Sequence, residues 1–207
     1  MIRRIPPLPT LLVLIAVGVM LRMGLWQLER LHEKEAMLGR FTAAQAISAE
    51  AQWSGDEAEG RKLLFRRGHA TCASTLAVRP MAGHNAHGVT GWAQVQQCNT
   101  VQGHHFDVVT GWAQQPTGVP SAPDKPARQG WAGGVIRGWI APGAGDAVRL
   151  IADPPLAGLE ANARPDPASI PNNHLSYAVQ WFLFAGVALV IYGLALRKRL
   201  AGAATPR

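Results

Sequence analysis

Two long apolar runs, one near each end of the chain, constrain this sequence more than any other feature. The first extends from about Leu8 to Trp26, the second from about Tyr177 to Leu196. A helix needs roughly 20 mostly apolar residues to cross a bilayer, and both runs reach that length. In lipid every backbone N–H and C=O must be paired within the segment, so runs of this kind are helices. Arg22 interrupts the first run near its far end, where a long side chain can reach the interface. Trp26, Tyr177 and Trp181 would lie in one aromatic belt and Tyr192 near the other.

The net charge of +7 could suggest a nucleic-acid partner, but its distribution argues against one. All 13 acidic residues lie between Glu29 and Asp166, and the same stretch holds equally many Lys and Arg. The whole excess comes from Arg3, Arg4 and Arg22 at one end and Arg197, Lys198, Arg199 and Arg207 at the other. Basic residues flanking apolar runs are topology signals rather than a nucleic-acid footprint. They place both termini in the cytoplasm and the intervening loop in the periplasm; basic residues within so long a loop are exempt from the charge rule. The stretch Met23 to Gln27 offers no small-x-small cleavage site, so the first run reads as an uncleaved anchor rather than a signal peptide.

The expected organisation is a multi-pass protein of the bacterial inner membrane, of α+β class, in contact with membrane lipid. Residues 1–7 are cytoplasmic, 8–26 form the first transmembrane helix and 27–176 the periplasmic domain. Residues 177–196 form the second transmembrane helix and 197–207 a cytoplasmic tail. The domain is expected to be rich in antiparallel sheet. Gln27 to about Ala46 reads as a helix continuing out of the membrane, with Arg30 and Glu33 as an opposite-charge i,i+3 pair and Lys34 left to find a partner elsewhere. Ala49 to Gly60 reads as a surface helix or loop.

Strands are expected at Leu63–Cys72, Thr75–Arg79, Gly88–Gln96, His105–Ala113 and Ala132–Ile140, apolar stretches bounded by Gly, Pro and Asn. The hexapeptide VTGWAQ occurs at Val89–Gln94 and again at Val109–Gln114. Neighbouring strands of a meander account for two copies more simply than a solenoid does. Its Gly-Trp step recurs at Gly130-Trp131 and Gly138-Trp139, which suggests tryptophans stacked in one core and glycines where the sheet bends. Pro116–Gln129 is a Pro-rich loop, and Gly143–Pro167 carries only weak strand signals. Cys72 and Cys98, the only cysteines, either form a disulfide in an oxidising compartment or stand as two buried thiols.

Two segments next to the apolar runs carry the functional signal. One is Gly24, Leu25, Trp26, Gln27, Leu28, Glu29, Arg30, Leu31, His32, Glu33, Lys34. The other is Asn172, Asn173, His174, Leu175, Ser176, Tyr177, Ala178, Val179, Gln180, Trp181. They resemble the G-x-W-Q-x-x-R-x-x-x-K and N-x-H-L-x-Y-A-x-x-W elements of the surfeit locus protein 1 family of membrane-anchored cytochrome oxidase assembly factors. Arg137, Gly138, Trp139, Ile140, Ala141, Pro142 resemble that family's Arg-Gly-Trp strand. Glu33 and Gln180 depart from the family's usual aromatic and threonine, so the chain looks like a diverged bacterial member.

The resemblance implies a biogenesis factor, not an enzyme, that transiently binds haem a and assists its insertion into cytochrome c oxidase subunit I. It implies haem a synthase as a further partner and His174 as the haem ligand, the one metal-binding residue expected. The spacing adds a geometry to this. His174, Tyr177 and Trp181 share a helix face at i, i+3 and i+7 if the helix starts that early, and Gln27, Arg30 and Lys34 are spaced alike. One face would supply an axial nitrogen and a ring platform, the other cations for propionates.

Plainer readings stand beside these. Asn172 or Asn173 caps the second helix; His174 is an interfacial residue bonded to the domain; Trp26, Tyr177 and Trp181 are belt residues; Arg30 and Lys34 are structural or bind headgroups. His84, His87, His104 and His105 read as solvated loop residues without partners at ligand spacing, and His32 and His69 are isolated. GxSxG, HExxH, P-loop and GxGxxG patterns are missing. The alternative function is a haem-free scaffold that holds nascent subunit I or haem a synthase. An enzyme with a dispersed site is a third class.

Overall fold

The computed structural model describes residues 5–76, 78–116 and 130–202. The basic residues Arg3, Arg4 and Arg207 and nearly all of the Pro-rich loop lie outside these. The chain divides into two compact units, Met1–Met37 with Ile170–Arg207, and Leu38–Ser169.

The first unit is built from two helices, α1 (Pro7–Gln45) and α3 (His174–Gly202). Pro7 opens α1 where its missing N–H costs nothing. From there α1 runs 39 residues without a break, through the apolar run and into the charged segment beyond it. Both helices are long and apolar enough to cross a membrane. Their flanks are bare: Leu8, Leu11, Leu12, Leu14, Ile15, Leu183, Val187, Val190, Ile191 and Leu194 are all exposed. In water this would be a large aggregation-prone patch; in lipid it is the ordinary outer surface of a span.

Their buried residues are small and regularly spaced: Val17 and Gly24 on α1, Ala178 and Ala185 on α3. Gly24 lies beneath Phe182, and a Cβ there would come within 2.6 Å of its ring. Farther along, Thr10 Oγ1 donates to the Pro6 carbonyl, so the hydroxyl of Tyr192 is the donor in its own bond to Thr10. Small residues at a close crossing and one interhelical hydroxyl bond are how helices associate in lipid, where burial of apolar surface gives no net drive. Gly24→Leu is therefore expected to weaken the pair by about 1–3 kcal/mol. The measurement is disulfide cross-linking between Thr10→Cys and Tyr192→Cys; an unchanged yield would refute the packing described.

The second unit begins with the last residues of α1 and contains a short helix, α2 (Glu57–Lys62), capped by the Asp56 side chain on the Glu59 amide. Its body is an eight-stranded sheet. The strands are β1 (Ala51–Gln52), β2 (Arg67–Cys72), β3 (Ser74–Thr75), β4 (Arg79–His84), β5 (Thr90–Asn99), β6 (His105–Ala113), β7 (Gly134–Pro142) and β8 (Val148–Ala152). They lie in the order β1-β2-β7-β8-β6-β5-β3, with β4 also on β5. β2, second in this order, passes into β3 at its far end through Ala73 alone, and the Ala73 amide donates to the Asn99 carbonyl of β5, so the sheet curls round on itself. Inside lie Trp53, Phe106, Val108, Ile136, Ile140 and Leu150. A second cluster, Ala93, Val95, Val109, Trp139, Ala141 and Ile151, packs on the other face.

The sheet is mixed, not wholly antiparallel. Most neighbours are antiparallel, but β1 pairs parallel with β2 and β6 pairs parallel with β8. The cause is topological: β8 inserts between β6 and β7, and its antiparallel turn from β7 leaves it parallel to β6. The two VTGWAQ copies are adjacent strands, as a meander requires, and pair with one another through Trp92–Ala113 and Ala93–Trp112.

The tryptophans do not share one stack. Trp53 packs on Phe106, Trp112 donates to the Gly83 carbonyl, and Trp139 lies under the guanidiniums of Arg67 and Arg164 while donating to Asp153. Nor do the glycines before them serve bends. Gly91, Gly111 and Gly138 are places where something presses on the backbone: the Trp112 ring, Leu159, and the Ile151 carbonyl. Cys72 and Cys98 form a disulfide, with Cα atoms 5.4 Å apart.

Candidate functional site

The second apolar helix starts at His174, early enough to put His174, Tyr177 and Trp181 on a common helical face. Pro171 precedes it and cannot continue a helix backwards. The cap is not an asparagine side chain: Asn173 contributes its backbone carbonyl, which accepts from the Tyr177 amide and the Ser176 hydroxyl. The Asn172 Oδ1 is buried without a hydrogen-bond partner among the described residues.

His174 Nδ1 lies 2.8 Å from Gln27 Oε1. This contact joins one residue from each of the two motif segments, 147 positions apart in the chain. An amide oxygen only accepts, so the neutral tautomer that satisfies this contact has its proton on Nδ1 and its lone pair on Nε2. No hydrogen bond to Nε2 occurs among the described residues. A half-buried imidazole held by one nitrogen with the other free is the arrangement in which histidine binds a metal.

The remaining sequence-derived positions divide. Tyr177 is 50 % exposed, and Trp181 turns its ring edge-on to Phe184 at 6.3 Å. Arg30 is engaged by Glu33, Nη1 to Oε2 at 2.6 Å, as the spacing anticipated. Lys34 is half-buried and makes no hydrogen bond or ion pair among the described residues. Trp26 is 39 % exposed and, one residue from Gln27, points along a different face of α1. The two motif segments thus meet at His174 and Gln27, and of Arg30 and Lys34 it is Lys34 that is unpaired among the described residues.

The SURF1 family model matches residues 14–186, which takes in most of α1, the first part of α3 and the whole domain between them. The chain belongs to the SURF1 family. No curated protein matches it at a significant level.

Outside the motif segments, this SURF1-family domain carries a cleft of about 360 Å³ that sequence reasoning did not find. Its polar lining includes Arg79, Gln97, Asp107 and Arg149. These come from separate strands, so no local pattern announces them. Arg79 pairs with Asp107, and burial pushes the Arg149 guanidinium below its ordinary value against the raising effect of Asp107. The loop histidines do not gather: His84 ends β4, His105 opens β6 and bonds Asn99 at 2.8 Å, and no metal-holding cluster occurs among the described residues.

Proposed function

We propose that this SURF1-family protein holds haem a transiently at the periplasmic surface of the inner membrane and assists its insertion into cytochrome c oxidase subunit I. The family is associated with cytochrome c oxidase assembly. The observation that carries the finer reading is the His174–Gln27 contact, which leaves one imidazole nitrogen able to bind iron. Haem, if bound, would supply an iron for which His174 Nε2 would be the protein ligand.

The residues present fit that group in outline. Exposed Tyr177 stands one turn from His174 as a ring platform. Lys34 is available for a propionate, and Arg30 can exchange Glu33 for one because an exposed ion pair holds it only weakly. Trp181 and Trp26 border the same segments as belt residues. A single ligand with Lys34 nearby on α1, unpaired among the described residues, suits a group held for handover. The Cys72–Cys98 disulfide supports an oxidising compartment, and hence the periplasm, for the domain.

The test is the visible spectrum of detergent-purified full-length protein, coexpressed with haem a synthesis. The wild type is expected to show a haem a Soret band and His174→Ala to lose it while keeping its far-UV circular dichroism. A folded wild type without the band refutes the carrier reading.

The scaffold reading rests on a different feature. An apolar groove on α3, lined by Phe182, Leu183, Gly186, Val187, Val190 and Ile191, could seat a helix of nascent subunit I or haem a synthase. It predicts copurification with subunit I even when His174 is replaced.

A further inference from the structure

A neutral imidazole offers two nitrogens of opposite character, one a donor and one with a lone pair, and their roles interchange with the tautomer. A metal can be bound only by the nitrogen with the lone pair. In His174 the choice is made by a neighbour: Gln27 Oε1 stands 2.8 Å from Nδ1, and an oxygen without a proton can pair only with Nδ1–H. Gln27 projects from α1, so the backbone that carries its amide is helical rather than part of a loop. The packing of Gly24 against Phe182 fixes α1 beside α3 less than one turn from Gln27 along α1.

We infer that Gln27 is a positioning residue that locks His174 in the Nδ1–H tautomer, making it an Nε2 donor prepared for a metal before any metal arrives. The tautomer itself follows from the protein without ligand; that the metal is haem iron rests on the function proposed above. The bond has two effects. It stops the ring from turning, so the lone pair keeps one direction. It also pulls electron density toward Nε2, which makes that nitrogen a stronger donor.

The alternative geometry gives the opposite result. If the amide NH₂ of Gln27 faced the ring, Nδ1 would accept and Nε2 would carry the proton. His174 could then bind a metal only after losing its bond to α1.

The experiment uses full-length protein in lipid nanodiscs, free of haem, with ¹⁵N-labelled histidine. Long-range ¹H–¹⁵N correlation spectra distinguish the two tautomers, and His174→Ala identifies the signal among the 7 histidines. The wild type is expected to show Nδ1–H. Gln27→Leu should remove this preference, whereas Gln27→Glu, whose carboxylate also accepts, should preserve it. An Nε2–H signal in the wild type overturns the inference, as does an unchanged tautomer in Gln27→Leu.

The same variants coexpressed with haem a synthesis give the second readout. Gln27→Leu should lower haem retention about 10–100-fold, the usual effect of removing the partner of a metal-binding histidine. Gln27→Glu should restore retention and move the midpoint potential of the bound haem to more negative values. Equal retention by wild type and Gln27→Leu would refute the positioning role. An Nδ1–H signal with no haem in any variant would support the tautomer lock and refute the carrier reading instead.

Discussion

Gly138→Ala is expected to force β7 and β8 apart and to destabilise the second unit strongly. Gly138 sits in the middle of β7, paired with Gly68 of β2 on one side and Ala152 of β8 on the other. A Cβ at this position would overlap the carbonyl oxygen of Ile151 and press on its carbonyl carbon, at 2.8 Å, and on the Ala152 Cα, at 3.0 Å. All three are backbone atoms of a neighbouring strand, so no rotamer change can make room. The strands must separate, and separating them breaks pairings on which both core clusters depend. Overpacking of this kind costs at least about 3 kcal/mol, at the upper end of what single substitutions do. Thermal unfolding followed by near-UV circular dichroism should show the tryptophan signal lost at a temperature roughly 10 °C lower or more. Val135→Ala on the same strand, at a position 59 % exposed, is the control and should stay within about 0.5 kcal/mol of wild type. Equal melting of Gly138→Ala and wild type would contradict the close approach of β7 and β8.

Replacing both cysteines by alanine should cost a comparable amount by a different route. Cys72 ends β2 and Cys98 lies near the end of β5, strands that are not neighbours in the pairing order. They meet where the curled sheet returns on itself, beside the Ala73 amide that donates to the Asn99 carbonyl. The bridge closes a loop of 26 residues, and the chain-entropy model gives about 3.5 kcal/mol for a loop of that length. Alanine is the better probe than serine, because Cys72 and Cys98 are 3 % and 0 % exposed among apolar neighbours. A buried hydroxyl would add its own desolvation cost. The double variant, or the wild type under reductant, should melt roughly 10 °C lower. No shift in either would mean that the seam is held by its strand pairing alone.

The parts of this architecture legible in the sequence are those carried by local pattern. Strand β6 was readable over its full length from the run His105–Ala113, and the helical continuation of α1 ends within a residue of its expected limit. Strand β4 escaped because Arg79, Pro80, Met81, Ala82, Gly83 and His84 have no apolar alternation. A strand paired only with β5 tolerates the proline that would exclude it from the sheet's interior. Strand β8 is short and lies among glycines and prolines, so its central place in the sheet could not be seen. Gln94 and Gln96 are buried, which no local pattern announces. Gln96 is inside because its amide ties Leu76 to Trp131, a tertiary fact.

At the candidate site, spacing put His174 and Gln27 on separate helical faces and stopped there. Their contact spans the whole intervening domain, and no periodicity encodes it. Arg30 shows the limit from the other side. Its i,i+3 partner Glu33 was plain in the sequence, and that pairing leaves Lys34 the freer cation.

The position of β8 bears on how such a domain is made. As the chain is delivered N-terminus first, β2, β5, β6 and β7 all emerge before Val148–Ala152 exists to stand between β6 and β7. Until then the edges at Asp107–Val109 and Gly138–Pro142 are open, each a template for pairing with another chain. Long-range closure by a late strand is slow and leaves intermediates prone to aggregate. A newly made chain therefore carries two open sheet edges until the five residues of β8 arrive to cover them.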